Sequence, residues 1–421
     1  VNGTPRNVEL ITIGDELLLG DIVDGNSMWL GQRLSEAGFH VVRRTTVGDD
    51  VDAIRDAVAA ALDRTGTVLC TGGLGPTSDD VTRPTVAGLF GRDLVLDTEV
   101  LDAIRARFRA RGMEMPELNR VQAEVPVGAR VLPNALGTAP GLVLEDERGR
   151  VVVLLPGVPR EMRALVDTQV IPLLQSRWNG ANGPPPRRRL RTTGIPESEL
   201  AENIADLVPR LDPVSIAFLP TNLGVDLRLT LRGAVAGEPD AERALDAAER
   251  EVAARLGPYI YAYGDDDLAE VVCRELARRG GTLAVAESCT GGLIAKRITD
   301  PPGASATFLG GVVAYSNRLK ETLLGVRRST LEVHGAVSAQ TAREMVDGIR
   351  RITGATAALS VTGIAGPSGG SPDKPVGTVW IGAALEETVE VRNFVFVGTR
   401  KDIRERSAQA ALALLLRLLR R

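Results

Sequence analysis

Apolar and polar positions alternate along the first 155 residues in a rhythm of short β-rich runs and helical stripes. Residues 8–13 predict a strand. Asn26 can cap a helix whose buried face carries Trp29, Leu30 and Leu34. Residues 39–46 predict the next strand, and Ile54, Val58, Ala61 and Leu62 mark the next helix. Residues 68–70 form a third strand that runs into Thr71-Gly72-Gly73. A β-α-β-α-β order of this kind predicts a parallel sheet covered on both faces. Residues 151–155 are wholly apolar, as a central strand requires.

The pattern changes twice. Residues 179–189 hold three prolines and then three arginines, which reads as a linker. A smaller unit follows, with a helix over 197–208, strands over 214–219 and 225–231, and an Ala- and Glu-rich helix over 240–256. Residues 264–267 form a second boundary. Beyond it, Leu268, Val271, Val272 and Leu276 share one helical face. Strands are expected at 282–286, 309–315, 357–361, 377–384 and 389–397. A closing helix carries Ala408, Ala411, Leu412, Leu415, Leu416 and Leu419.

Composition narrows the function. The 421 residues imply two or three domains, placed here at 1–180, 181–264 and 265–421. The net charge of −4 argues against direct nucleic-acid binding. No apolar run spans a membrane and no signal-peptide pattern opens the chain, so a cytoplasmic protein without membrane contact is expected. The three cysteines, Cys70, Cys273 and Cys289, fit neither a disulfide framework nor a zinc knuckle. With only two histidines, a three-His zinc site is excluded, and a general base must otherwise be Lys, Asp, Glu or Tyr.

In the last unit, Glu287-Ser288-Cys289-Thr290-Gly291-Gly292 lies between a strand and a helix. Free N–H groups at such a helix start bind anions, and Ser288 could equally be a simple cap. Gly303-Ala304-Ser305 reads alone as an ordinary loop. Tyr315 precedes Lys320 by five positions; the first could be a strand-end aromatic and the second a solvated helix residue. Thr362-Gly363-Ile364-Ala365-Gly366-Pro367 ends an apolar strand, where α/β sheets bind ligands. A serine hydroxyl can cleave an amide if a base takes its proton. With histidine scarce, a buried lysine is the natural base.

The first unit carries a different set. Gly14, Asp15 and Glu16 end its first strand, with Asn26 close behind. Gly72, Gly73, Gly75, Asp79 and Asp80 follow its third. Both loops sit at strand C-termini and can share one crevice. The glycines offer amides to phosphates, and Asp15, Glu16, Asp79 and Asp80 are hard oxygen ligands suited to Mg²⁺. As helix caps the same acids would be merely structural.

The strings AESCTGG, GAS, AYSN…K, HGAVS, TGIAGPSGG and KPVGTVW, in this order, resemble the nicotinamide mononucleotide (NMN) deamidase family across residues 268–421. TGGLGPTSDDVT, ALGTAPG and LLPGVPREM resemble the molybdopterin-binding fold across residues 7–175. Together they resemble the CinA family of competence/damage-inducible proteins. The resemblance implies an α/β chain: a three-layer molybdopterin-binding-like domain, a small α+β KH-like domain, and an α/β amidohydrolase domain. It implies metal-free hydrolysis of NMN, with Ser305 as nucleophile and Lys320 as base. Ser288, in the more conspicuous motif, is the competing nucleophile. Ser288, Tyr315 and Thr362 would shape the site, with Gly291, Gly292, Gly363 and Gly366 beside the substrate. Arg400 or Arg404 would bind the phosphate.

For the first domain it implies ADP-ribose hydrolysis with a divalent ion, Mg or Co, and K as a further candidate ion. A homodimer is expected. The middle domain lacks a GXXG clamp, Gly233–Gly237 included, and its arginines read as a solvated linker rather than an RNA patch. Two other functions stay open: a regulatory or scaffolding protein of DNA uptake, and a molybdenum-cofactor binder.

Overall fold

The computed structural model describes residues 6–178, 186–231 and 239–421. The chain divides into two compact units, Val1–Pro185 and Pro186–Arg421. The proline-rich stretch over 179–185 and Gly233–Gly237 lie outside the described residues.

In the first unit the strands are β1 (Asn7–Ile13), β2 (His40–Val47), β3 (Thr67–Thr71), β4 (Leu94–Leu96), β5 (Glu124–Pro126), β6 (Arg130–Leu132), β7 (Gly141–Glu145) and β8 (Val151–Leu155). Six of them form one sheet in the order β2-β1-β3-β8-β7-β6. The first four are parallel; β7 and β6 run antiparallel at the other edge. Strand alternation explains why β8 is apolar throughout. Val151, Val153 and Leu155 face Leu30, Leu34, Met162 and Leu165 on one side. Val152 and Leu154 face Ile54, Val58, Leu62 and Val86 on the other. Both faces are covered, so neither parity is free to be polar.

The helix over Gly25–Glu36 is capped by Asp24, which accepts from Ser27 N at 2.9 Å. Asn26, expected as the cap, lies inside the helix because Asp24 already satisfies its first amides. Asn26 Nδ2 instead donates to Gly157 O at 2.7 Å, tying the helix to the loop after β8.

The second unit opens with β9 (Arg187–Thr192), β10 (Val214–Thr221), β11 (Gly224–Leu231) and β12 (Ile260–Tyr263), an antiparallel sheet in the order β10-β11-β9-β12. The helix Pro239–Leu256 covers it through Ala241, Leu245, Ala248 and Val252. The expected basic linker is therefore wrong from Arg187 onward: these residues form an inner strand. Arg188 pairs with Glu242 and Asp246, and Arg189 and Arg191 converge on the buried Asp226. Acids distant in sequence neutralise what looked locally like a solvated charge run.

The second sheet holds β13 (Leu283–Glu287), β14 (Phe308–Val313), β15 (Ala357–Gly363), β16 (Thr378–Leu385) and β17 (Thr388–Val395), in the order β14-β13-β15-β16-β17. The first three of that order are parallel. Helix Ala339–Thr353 packs on one face through Met345, Val346 and Ile349. Helices Leu268–Arg278, Leu293–Thr299 and Arg400–Leu419 cover the other. Three parallel strands thus end side by side, and their C-terminal loops define one edge. No helix among the described residues is long and apolar enough to cross a membrane.

Candidate active site

Ser288 follows β13, Tyr315 and Lys320 follow β14, and Thr362 lies near the end of β15. These loops enclose a cavity of about 210 Å³, lined by Ser288, Cys289, Tyr315, Asn317, Lys320, Thr362, Gly363, Ala365 and Arg400, among others. Ser316 caps the short helix Asn317–Thr322 through Leu319 N and turns Lys320 inward. Lys320 is 1% exposed. Its Nζ donates to Ser288 Oγ at 3.0 Å and to Ala314 O at 2.9 Å. No carboxylate pairs with it among the described residues. Burial without a counter-ion pushes the amine below the ordinary lysine range.

The neighbouring Cys289 is no rival to Ser288. Burial pushes its thiol up to about 12, so the nucleophilic thiolate is suppressed at neutral pH. Thr362 Oγ1 donates to Ala336 O at 2.7 Å and fixes the wall opposite. Arg400 Nη2 donates to Tyr315 Oη at 2.7 Å and Nη1 to Gly366 O at 2.6 Å. One guanidinium thereby joins the loops after β14 and β15. Besides Lys320, Arg400 is the cation among the residues that line the cavity.

Three sequence expectations change here. Ser305 does not reach Lys320 within one chain. It lies in a short turn, Ala304–Ala306, before β14, whereas Ser288 follows the parallel neighbour β13. The two serines sit at opposite sheet edges, separated by the six residues of β14, roughly 20 Å. The helix start after Ser288 is not an open anion site. Glu287, 1% exposed, fills it from inside: its carboxylate accepts from Gly292 N, Ile294 N and Ala295 N at 2.9–3.1 Å. Gly291 N and Gly292 N are both spent on the chain itself. Arg404 does not line the cavity; its Nε and Nη2 hold Thr290 O.

Glu287, Asn317 and Ala336 lie within the sequence motifs, but no role was expected of them. An acid closing an otherwise apolar strand was the available signal for Glu287. Asn317 and Ala336 lie in AYSN and HGAVS, but nothing local marks them as wall residues.

The first unit has its own crevice, of about 430 Å³, at the C-terminal ends of β1, β3 and β8. Gly14, Glu16, Asp49, Gly72, Gly73, Gly75, Asp79, Asp80 and Glu161 are among its walls. Here too the expected ligands are partly engaged. Asp80 Oδ1 accepts from Gly75 N at 2.7 Å, and Oδ2 accepts from Thr77 N at 2.9 Å and Thr77 Oγ1 at 2.5 Å. Asp80 is the clamp of its own loop. Asp15 Oδ1 accepts from Asp49 N, and Asp49 Oδ2 accepts from Asp15 N. Burial first, then the charges of Asp15, Glu16 and Asp79, raise the Asp49 carboxyl. Among the described residues no three His, Cys, Asp or Glu side chains are grouped to hold an ion. The expected set of Asp15, Glu16, Asp79 and Asp80 thus does not form a cage; Glu16 and Asp79 remain as wall carboxylates. Gly72 has a packing reason to be glycine: a Cβ there would meet Ile13 O at 2.0 Å.

The fold and sites define a three-domain α/β protein: a glycine–carboxylate crevice in its first domain and a buried Ser–Lys pair in its last. Comparison with known proteins agrees domain by domain. Family models match for a probable molybdopterin binding domain over residues 9–176, the damage-inducible protein CinA KH domain over 187–262, and the CinA C-terminal domain over 265–419. A CinA-like protein of Gemmatimonas aurantiaca is 48% identical over 408 residues, covering 96% of this chain and 95% of that protein. A CinA-like protein of Salinibacter ruber is 44% identical, covering 96% and 97%. The solved structure of CinA from Thermoplasma acidophilum is 37% identical over 39% of this chain and 96% of its own, with a TM-score of 0.36. The chain belongs to the CinA family.

Proposed function

We propose that the last domain hydrolyses the carboxamide of NMN to nicotinate mononucleotide and ammonia. The Ser288–Lys320 contact carries this reading: hydroxyl and amine meet at 3.0 Å, buried, with no carboxylate on the amine among the described residues. In its neutral form Lys320 offers a lone pair to the Ser288 hydroxyl. Lys320 takes that proton as Ser288 Oγ bonds to the amide carbon and the carbonyl becomes an oxyanion. The carbon–nitrogen bond then breaks, and the leaving nitrogen takes the proton from Lys320 and departs as ammonia. Water attacks the acyl-serine, again giving its proton to Lys320. Nicotinate mononucleotide leaves as the proton returns to Ser288 Oγ. No metal is needed in this sequence. Arg400, at the cavity wall, is the cation available to the phosphate. The test is ammonia release from NMN by the purified chain; no release above buffer would overturn the reading.

For the first domain we infer a crevice for a nucleotide diphosphate such as ADP-ribose. Its support is position: glycine-rich loops gathered at the C-terminal ends of three parallel strands. Because the carboxylates do not form a cage, a divalent ion would have to arrive with the substrate's phosphates, as Mg²⁺ commonly does. Chelation should then stop ADP-ribose cleavage and spare NMN deamidation. Binding of a pterin in place of ADP-ribose would overturn this assignment.

A further inference from the structure

We propose that Arg404 is a positioning residue for the amide hydrolysis, acting through two peptide groups on the backbone N–H that follows Ser288. The proposal rests on the reading of Ser288 as nucleophile.

A hydrogen-bonded relay can be followed atom by atom. Arg404 lies in the second turn of helix Arg400–Leu419. Its Nη2 and Nε donate to Thr290 O at 2.7 and 3.3 Å. The peptide group that carries this carbonyl also carries the N–H of Gly291. That N–H donates to Ser288 O at 3.1 Å. The peptide group that carries Ser288 O carries the N–H of Cys289. Among the described residues this last N–H donates to no oxygen or nitrogen acceptor; its own thiol sulfur is the weak acceptor beside it.

The direction of the relay matters. Each peptide accepts at its oxygen and donates at its nitrogen, so the bonds align head to tail and polarise one another. A cation at the head draws density toward Thr290 O, which strengthens the Gly291 donor. The stronger bond at Ser288 O in turn strengthens the Cys289 donor. When Ser288 Oγ attacks a carbonyl, negative charge develops next to that amide. The N–H of the residue after a nucleophile is a recurrent oxyanion donor. Arg404 thus lends part of its charge to the transition state without touching the substrate.

Glu287 keeps the relay in register. By accepting from Gly292, Ile294 and Ala295, its carboxylate fixes the loop and occupies the helix amides that could compete for the oxyanion. The rival role for Arg404, gripping the substrate's phosphate, runs against the geometry. Arg404 is absent from the cavity wall and spends two donors on one carbonyl, whereas Arg400 lines the wall.

The experiment compares the full chain with Arg404→Gln and Arg404→Lys. In Arg404→Gln, kcat for NMN should fall roughly tenfold with KM within about twofold. Arg404→Lys, which keeps the charge, should recover most of that loss. In the ¹⁵N-labelled protein the Cys289 amide proton should move upfield in Arg404→Gln and return toward its original position in Arg404→Lys. A KM raised tenfold at intact kcat would assign Arg404 to the phosphate and overturn the proposal. A Cys289 amide proton unmoved in Arg404→Gln would also overturn it. If the unsubstituted chain releases no ammonia from NMN, the amidase reading fails, and the Cys289 shift still decides the relay.

Discussion

Lys320 Nζ lies 3.0 Å from Ser288 Oγ, although the two residues stand 32 positions apart and hang from neighbouring strands. Folding brings them together at the edge where β13 and β14 both end. The pair then has one chemical asymmetry: the amine is buried without a carboxylate among the described residues, so its pKa is held below the ordinary lysine range.

That asymmetry sets a pH dependence. The base must be unprotonated, so kcat/KM for NMN should rise with pH through the lowered lysine value and level off below the ordinary value of about 10.4. Lys320→Arg stays charged at every working pH and Lys320→Met has no base. Both should lose at least roughly a hundredfold in kcat. An acid limb unchanged in Lys320→Arg would assign the titration to another group.

Glu287 predicts a stability effect. Its carboxylate accepts three backbone N–H groups in a fully buried setting. Glu287→Gln replaces one oxygen with a donor that faces amide hydrogens. Bonds to charged groups contribute about 1.5–3 kcal/mol each, and an unpaired buried group costs a similar amount. Glu287→Gln should therefore destabilise the chain by about 2–3 kcal/mol, read from the shift of a urea unfolding midpoint. An unchanged midpoint would mean that the loop is held by other contacts.

Much of this arrangement was legible in the sequence. The apolar run over Val151–Leu155 announced a strand covered on both faces, and the scarcity of histidine pointed to a serine–lysine pair. Which serine meets Lys320 was not legible from motifs, because a motif does not say at which sheet edge it falls. Chain order does: Ser305 precedes β14 and Ser288 follows β13, and in a parallel pair those are opposite ends. Arg188, Arg189 and Arg191 misled for another reason. Their partners, Glu242, Asp246 and Asp226, come from distant segments that no local reading can see. Asp80 looked like a metal ligand because a conspicuous acid beside glycines suits both roles. Contacts to Gly75 and Thr77 decide that it clamps its own loop.

Asp49 gives a prediction for the first domain. Its folded-state pKa is raised, mainly by burial and then by Asp15, Glu16 and Asp79. The folded protein therefore holds this proton more tightly than the unfolded chain does. The sign follows: the charged carboxylate costs stability above its raised value, and the cost vanishes below the unfolded value near 3.9. Asp49→Asn removes the charge and keeps an oxygen for Asp15 N. Its Tm should match the unsubstituted chain at pH 3 and exceed it at pH 7. A difference that is constant across this range would rule out the Asp49 charge as its cause.

In the proposed reaction it is Ser288 that attacks the amide. Ammonia release from NMN, measured side by side for Ser288→Ala and Ser305→Ala in the full chain, tests it most directly. Ser288→Ala should lose at least roughly a thousandfold in kcat while Ser305→Ala stays within a few-fold of the unsubstituted chain. Activity retained in Ser288→Ala and lost in Ser305→Ala would contradict it.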